Sequence, residues 1–302
     1  MIEPVIISVR GVLGGKSEAL PERAEYLARR IGKLVALGAK PNSEKKLVFM
    51  LHNSVCAGVE ATIGKAYGLD AFESAVKTLE RLNAEGYDTG EFPQRGETLR
   101  ELILEKKAFS DFRWTAVEDI VNSGGCLYQM PIAGEYELFY NELADKSREY
   151  MEKTWGAPPG EGMVLDGKLI ITGVRFGNVL VMVQPKRGCY GAKCTGEVCK
   201  ILHDPSCPPP HQYLATYRYI ERVFAADACI DVGTDGSLEY LPGKSNGLSE
   251  LCWPGIVLGS TPSFYAYNTG VINEALLAKR RMNAIVVDTG VCGQREKRRF
   301  IV

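Results

Sequence analysis

Hydrophobic positions in the first half of the chain follow two alternating patterns. Residues 21–37 repeat apolar side chains at helical spacing, with arginines and lysines between them, which predicts an amphipathic helix. The uninterrupted apolar run at residues 47–51 is typical of a strand that is buried on both faces. A second helix is predicted near residues 71–84, ended by Gly86, and a third opens at Gly96.

The second half repeats this alternation. Turn-forming residues at 155–160 mark a boundary. Strands are predicted at 168–172, 178–184, 228–232 and 284–287, and helices at 211–224 and 276–281. Alternating strands and helices favour an α/β fold with mainly parallel sheets flanked by helices. We expect two packed subdomains, an α/β domain at 1–154 and a motif-bearing α/β core at 155–302.

Composition and charge narrow the class of protein. The 302 residues carry 36 basic and 37 acidic side chains, a net charge of −1 that creates no general field for nucleic acid. No signal peptide is visible, and no apolar run is long enough to cross a bilayer. Nine cysteines, an odd number, favour free thiols in a reducing compartment. The sequence therefore predicts a cytoplasmic protein without nucleic-acid binding or membrane insertion.

Two glycine-rich segments imitate a phosphate-binding loop. Residues 11–17 end in Gly-Lys-Ser, but three residues separate Gly11 from Gly15 where the loop needs four. Residues 58–65 have five intervening residues, and Ala66 stands where a hydroxyl should bind magnesium. We therefore predict no ATP site in this chain.

A cysteine-rich segment offers a possible separate metal site. Cys189, Cys194, Cys199 and Cys207 are spaced C-x4-C-x4-C-x7-C, with His203 among them. Clustered thiolates can bind zinc or an iron–sulfur cluster. The spacing matches no common ligand knuckle, and the alternative is a set of buried thiols in an irregular loop. A metal-sensing module built on this segment is a third hypothesis.

Candidate chemistry concentrates in residues 231–249, where a predicted strand leads into a glycine-rich loop. Ligands of α/β proteins sit at the carboxyl ends of strands. Asp235 and Glu239 are four residues apart, so a helical turn would place both carboxylates on one face. Such a pair can serve as a proton acceptor or bind a divalent ion. The alternative is that either carboxylate caps a helix or pairs with Lys244.

Two further segments place a cation or an imidazole beside aromatic residues. Arg175 precedes Phe176, and His211 follows three prolines and precedes Tyr213. An arginine can fork onto a carboxylate, and aromatic rings can lie against a flat ligand. The alternatives are a structural salt bridge for Arg175 and an unliganded helix N-terminus for His211.

Together these segments resemble one family, the cobaltochelatase large subunit and the related magnesium chelatase H subunit. The resemblance covers nearly the whole chain in order. Its motifs are Pro41-Asn-x-Glu-Lys45, Ile63-Gly64, Gly68-Leu-Asp70, Gly86-Tyr87, Trp155-Gly-x-Pro-Pro-Gly160, Arg175-Phe-Gly-Asn178, Gln184-Pro185, Pro208-Pro-Pro-His-Gln-Tyr213, Gly233-Thr-x-Gly-x-Leu-Glu239, Leu241-Pro-Gly-Lys-Ser-x-Gly-Leu-Ser249 and Ala278-Lys-Arg-Arg281.

The resemblance implies an ATP-dependent chelatase of the ligase class, as in cobalamin biosynthesis. Its large subunit binds the tetrapyrrole and the substrate metal, here cobalt(II) or magnesium(II) with cobalt preferred, while separate AAA+ partners hydrolyse ATP. Glu239 and Asp235 become the catalytic and metal-binding candidates. The tetrapyrrole-binding candidates implied by the resemblance are Arg175, His211, Lys244 and Tyr240.

Two departures from the family pattern matter. Asp235 stands where the family loop usually has histidine, which removes an imidazole ligand that cobalt(II) accepts well. The family's full-length protein is also several times longer, so we expect a fragment or short paralogue that needs the remaining domains and is inactive as an isolated chain. The alternative function is a non-catalytic tetrapyrrole or metal carrier.

Overall fold

The computed structural model describes residues 8–10, 17–54, 59–111, 115–187, 206–233, 236–267 and 272–288. The strands in these ranges are β1 (Ser8–Arg10), β2 (Ser17–Ala19), β3 (Leu47–Leu51), β4 (Cys126–Pro131), β5 (Val164–Leu165), β6 (Lys168–Thr172), β7 (Val174–Phe176), β8 (Val179–Val183), β9 (Ala228–Gly233), β10 (Ser263–Tyr267) and β11 (Ile285–Asp288). The helices are α1 (Pro21–Ala39), α2 (Val59–Thr62), α3 (Ala71–Ala84), α4 (Gly96–Glu105), α5 (Val117–Asn122), α6 (Glu137–Asn141), α7 (Asp145–Trp155), α8 (His211–Arg218), α9 (Trp253–Leu258) and α10 (Ile272–Met282).

A six-stranded sheet forms the centre of the fold. Its strand order is β11-β10-β9-β3-β8-β7, and every neighbouring pair is parallel except β7 with β8. A separate three-stranded antiparallel sheet has the order β4-β6-β5, and β1 pairs with β2. The predicted α/β class with a mainly parallel sheet flanked by helices is confirmed.

The central strand β3 joins the two halves of the chain. Leu47 lies opposite Val179 of β8 on one side and Ala228 of β9 on the other. All five residues of β3 are buried, as the uninterrupted apolar run requires for a strand covered on both faces. Strand β3 precedes the boundary expected between residues 154 and 155, whereas its two neighbours β8 and β9 follow that boundary. Segments from both sides of the boundary therefore share one sheet.

The two faces of the sheet bury different side chains. On one, which we call the α3 face, Phe49 and Leu51 pack with Val76 and Leu79 of α3. The other, which we call the tyrosine face, packs Val48 and Met50 of β3 with four buried tyrosines. These tyrosines are Tyr213, Tyr217, Tyr265 and Tyr267. Alternation along β3 produces the division, since successive side chains of a strand point to opposite faces.

Local sequence signals account for several helix boundaries. The Asp70 carboxylate accepts a hydrogen bond of 3.1 Å from the Glu73 amide and caps α3. Helix α8 starts directly after Pro210 and continues at Arg218 into a wider turn, Tyr219–Val223. Among the described helices, none combines the length and the apolar character needed to cross a membrane.

Candidate functional site

The parallel strands end at one edge of the sheet, which we call the carboxyl edge. Several polar side chains lie there. Asn53 follows β3, Gln184 follows β8, Gly233 ends β9 and Tyr267 ends β10. Gly233 has no Cβ, and one built there would lie 2.4 Å from the Cβ of His52. Glycine therefore lets the β9 loop approach the β3 loop closely. Ligands of α/β proteins bind at this edge.

Glu239 lies at the carboxyl edge on the short turn Leu238–Tyr240 and is fully buried. The Tyr265 hydroxyl donates a hydrogen bond to its Oε1 atom. The Gly236 amide donates to that same hydroxyl at 3.3 Å. A Cβ on Gly236 would lie 2.3 Å from Oε1, so only glycine leaves room for the carboxylate. The loop thus turns the Glu239 side chain inward, against the tyrosine face.

Arg281, near the end of α10, holds the backbone of this loop. Its guanidinium donates to the Glu239 carbonyl, to the Leu241 carbonyl at 2.7 Å and to the Lys244 carbonyl at 3.1 Å. Burial lowers the pKa of Arg281, and nearby Arg187 lowers it further, while Cys252 and Glu239 act in the opposite direction. Arg281 therefore fixes the position of Glu239 through the main chain.

Beside Glu239, a hydrogen-bonded network runs through the buried tyrosines. The Gln184 amide donates to the Tyr213 hydroxyl and accepts from the Tyr217 hydroxyl at 2.9 Å. The Tyr213 hydroxyl also contacts Ser237 Oγ at 3.0 Å. Burial raises the pKa of both tyrosines, so both stay protonated at neutral pH. The network links β8, α8 and the Glu239 loop.

Asp231 supplies a second carboxyl group to the same face. It is 6 % exposed, and the Ser263 hydroxyl donates to it at 3.2 Å. Burial raises the pKa of Asp231 to about 7, and the Ser263 hydrogen bond acts against that rise. The charges of Asp231 and Glu239 both raise the pKa of Tyr213 and Tyr267. The structure therefore brings Glu239 together with Asp231, a residue that was not among the candidates from sequence.

Two predicted ring-binding residues lie on the Glu239 loop. Tyr240 follows Glu239 directly and is 42 % exposed. Lys244 is exposed, and its amide donates to the buried Cys252 sulfur at 3.4 Å. Burial acts to raise the pKa of the Cys252 thiol, but hydrogen bonds from Lys244 and Ser249 outweigh it and hold that pKa below its usual value. Tyr240 and Lys244 thus share one anchored loop with Glu239.

Arg175 lies at a different place in the fold. It is exposed on the edge strand β7, its Nε donates to the Gly177 carbonyl at 2.7 Å, and its guanidinium lies 5.7 Å from the centre of the Phe224 ring. Four strand spacings separate β7 from β10, about 19 Å at a usual spacing of about 4.8 Å. The structure does not bring Arg175 to the Glu239 loop.

His211 is buried and uses both ring nitrogens within the protein. Nε2 lies 2.9 Å from the Gly156 carbonyl, and Nδ1 lies 2.8 Å from the Tyr136 hydroxyl. A carbonyl only accepts, so Nε2 carries the hydrogen and Nδ1 accepts from the tyrosine. Burial lowers the pKa of His211, which favours this neutral form. In this arrangement the imidazole fixes the 155–160 turn.

The remaining candidates are only partly within the described residues. Asp235, Cys189, Cys194 and Cys199 lie outside them. Cys207 is buried, and its sulfur lies 3.7 Å from the Pro208 carbonyl. Within the described part of the chain, no group of three His, Cys, Asp or Glu side chains is arranged to hold a metal ion. The cysteine site and the metal-binding role of Asp235 stay predictions.

The sequence contained signals for some of the residues that were missed. Asp231 is a charged residue inside an otherwise apolar strand, a position that requires a reason because burying a carboxylate is costly. Tyr265 and Tyr267 alternate with smaller residues, as expected of one strand face. No local pattern indicated that Tyr265 contacts Glu239, since 26 residues separate them.

Comparison with known proteins gives evidence on the family of the chain. A sequence profile of the family described as CobN/Magnesium Chelatase matches residues 1–290. An uncharacterised protein of Methanocaldococcus jannaschii is 45% identical over 298 residues, covering 95% of this chain and 24% of its own length. The aerobic cobaltochelatase subunit CobN of Pseudomonas aeruginosa is 32% identical, over 88% of this chain and 20% of its own length.

A magnesium chelatase and a solved structure agree with these matches. The magnesium-chelatase H subunit of Chlorobaculum parvum is 33% identical over 94% of this chain and 21% of its own length. The catalytic subunit of cobaltochelatase from Mycobacterium tuberculosis superposes with a TM-score of 0.76 at 29% identity, over 93% of this chain and 23% of that one. The chain thus spans about a quarter of the relatives' length or less. It belongs to the CobN/magnesium chelatase family.

Proposed function

We propose that this chain is the tetrapyrrole- and metal-handling segment of an ATP-dependent chelatase large subunit. The substrate metal is divalent, cobalt(II) or magnesium(II) with cobalt preferred, and the ring is a corrin or porphyrin. Separate AAA+ subunits hydrolyse ATP, and the remaining domains of the large subunit enclose the ring. We place the assembly in the cytoplasm, a reducing compartment in which thiols such as those of Cys126, Cys229 and Cys252 persist.

One observation carries the proposal: a fully buried glutamate, Glu239, on a glycine-containing loop at the carboxyl edge of a parallel sheet. Metal insertion releases two pyrrole protons from the ring, so the site needs proton acceptors. Glu239 is our candidate for the first acceptor. Asp231, whose pKa is raised by burial to about 7, can hold a second proton at neutral pH.

The exposed part of the same loop is our candidate for ring binding. Tyr240 can lie against the face of the macrocycle, and Lys244 can pair with a carboxylate at its rim. Asp235 is proposed as a metal ligand in the segment preceding Glu239. Arg175 lies on the far edge strand, and His211 uses both ring nitrogens within the protein, so we give neither residue a contact with the ring at this loop.

The test is Glu239→Gln in the complete chelatase, assembled with its AAA+ subunits, ATP, metal and ring. Glutamine keeps the size of the side chain and cannot accept the proton. We expect metal insertion to fall by at least 100-fold, within the range that general base catalysis contributes, while ring affinity changes little. Glu250→Gln, an exposed change of the same kind, is the control. Insertion at the wild-type rate would remove Glu239 from the mechanism.

The second candidate function is a non-catalytic tetrapyrrole or metal carrier. One observation favours it: Asp235 stands where the family loop usually has a histidine. A carrier shifts the Soret band of a porphyrin on titration but metalates nothing when AAA+ partners and ATP are supplied. A gain of insertion in Asp235→His would favour the carrier, whereas insertion by the unmodified chain in the assembly would exclude it.

A further inference from the structure

Arg187 is a buried cation at the carboxyl edge, four residues beyond β8. It is 7 % exposed, and its Nη1 atom donates to the Tyr240 carbonyl at a long 3.4 Å. Its Nε atom is buried and has no hydrogen-bond partner among the described residues. No described aspartate or glutamate forms an ion pair with it. The Arg187 guanidinium therefore has N–H groups that can still donate hydrogen bonds.

Two further cations lie near Arg187, and the Asp231 and Glu239 carboxyl groups act on the same neighbouring side chains. Arg281 lies close enough that the two guanidinium charges influence each other. The Lys186 ammonium, 9 % exposed, donates to the Ser54 carbonyl at 2.6 Å and to Asn53 Oδ1 at 3.3 Å. Arg281 already donates to three loop carbonyls, whereas Arg187 Nε donates to none of the described residues.

Another buried arginine gives the comparison. Arg218 is 6 % exposed, as deeply buried as Arg187, but it pairs with the Glu221 carboxylate at 3.1 Å. A buried charge is costly unless it is paired, and a guanidinium presents a planar fork that matches a carboxylate. Arg187 therefore has the burial and the donors of an ion-paired arginine without the described anion.

We propose that Arg187 is the recognition residue for a carboxylate of the ligand that binds at the Glu239 loop. The inference rests on the proposed function, in which that ligand is a tetrapyrrole with carboxylates at its rim. The Tyr240 carbonyl joins Arg187 to the loop that carries Glu239, so a carboxylate held there fixes the ring relative to the proton acceptor. A small free dicarboxylate carries the same group and is the other possible source of a carboxylate for Arg187.

The experiment titrates the full chain with a free-acid porphyrin and with the same porphyrin carrying amides in place of its carboxylates. We expect the wild type to prefer the free acid by at least tenfold. Arg187→Gln should lose that preference by weakening free-acid binding alone, and Arg187→Lys should retain part of it, because lysine keeps the charge without the fork. Arg29→Gln, an equal charge change on the exposed face of α1, should bind as the wild type does.

The outcomes separate this inference from the proposed function. If the wild type, within the complete chelatase, binds neither the porphyrins nor the corresponding corrins, the proposed function fails, and the Arg187 site is then tested with succinate against equal ionic strength of chloride. Succinate should raise the melting temperature of the wild type and of Arg29→Gln, but not of Arg187→Gln. Equal porphyrin affinities in Arg187→Gln and wild type, or no succinate effect in a chain that binds no porphyrin, overturn the inference.

The melting temperature of the chain without ligand tests the inference independently. Without ligand, Arg187→Gln should melt at the wild-type temperature or above it, because the change removes an uncompensated buried charge. A clear fall in melting temperature would show that the guanidinium is already paired inside the protein, and would also overturn the inference.

Discussion

Two buried carboxylates of the chain, Glu221 and Asp231, are similarly shielded from solvent but differ in their partners. Glu221 is 8 % exposed, and it accepts from the Ser260 amide at 2.7 Å, from the Ser260 hydroxyl at 2.9 Å and from Arg218 at 3.1 Å. Asp231 is 6 % exposed and accepts from the Ser263 hydroxyl at 3.2 Å.

The pKa values of Glu221 and Asp231 therefore shift in opposite directions. Burial pushes both upward, but Arg218 and Ser260 outweigh it at Glu221, whose pKa lies below its usual value. At Asp231 burial prevails, and the pKa rises to about 7. The comparison teaches that burial alone does not identify a carboxylate suited to proton transfer. The nearby cation and the hydrogen-bond donors together decide whether the group is a fixed anion or one that can take up a proton near neutral pH.

The largest expected effect is on stability at Glu221. Glu221→Ala leaves the Arg218 guanidinium buried without its carboxylate, and breaking a buried pair in this way costs about 3–5 kcal/mol. Denaturant unfolding at neutral pH measures the loss. The exposed Glu142→Ala is the control, with an expected loss below about 1 kcal/mol. Equal losses in the two variants would mean that the Glu221 contacts do not stabilise the fold.

Replacing Asp231 should stabilise the fold, unlike replacing Glu221, and the gain in stability should depend on pH. Its folded pKa, about 7, lies above the unfolded value of 3.8, so the folded state binds the extra proton between these values and stability falls as pH rises through this window. Asp231→Asn removes the penalty. Its stability gain should be about 2–3 kcal/mol larger at pH 8 than at pH 5.

Unfolding of both proteins at several pH values tests this expectation. Asp119→Asn, on an exposed aspartate, is the matched control and should show little pH-dependent gain. A gain at Asp231 that is the same at pH 5 and pH 8 would contradict the raised pKa.

Arg281 provides a test on the main chain of the Glu239 loop. Arg281→Ala removes the charged donor shared by three carbonyls, and we expect a loss of roughly 2 kcal/mol. Amide exchange should accelerate at Leu241, whose amide donates to the Leu238 carbonyl within the turn, and stay unchanged at Leu79 in α3. Unchanged exchange at Leu241 would show that the loop holds its shape without the arginine.

The smallest effect is expected where a glutamate pairs with arginine in solvent. Arg81 contacts Glu85 at 2.6 Å, and both side chains are at least half exposed. Arg81→Gln should change stability by less than about 1 kcal/mol, because water and salt screen such pairs. The melting temperature in low and high salt measures it. A loss near that of Glu221→Ala would erase the distinction between buried and exposed pairs.

The periodicity of the chain predicted much of the fold. The apolar run at Leu47–Leu51 and the Val-rich strand before Gln184 became central strands because their composition suits burial on both faces. Strand β10 was not predicted, although three of the five residues of Ser263–Tyr267 are aromatic and therefore favour a strand.

The candidate site was less predictable because its contacts are not local. Glu239 was singled out from its loop, yet its partner Tyr265 comes from a strand that was not predicted. His211 was chosen for its neighbours in sequence, whereas its hydrogen bond to Tyr136 spans 75 residues. Spacing along the chain indicates which residues can share an element, but the tertiary fold decides which elements meet.

The central position of β3 has a consequence for how the protein is made. A ribosome releases residues 47–51 long before it has synthesised residues 179–183 and 228–233, the two segments that pair with them. Until then the strand has neither hydrogen-bonding neighbour, and such long-range pairing makes assembly slow and leaves apolar side chains and unpaired backbone groups exposed. A nascent chain halted before residue 179 therefore presents β3 as an unpaired strand that another chain can pair with.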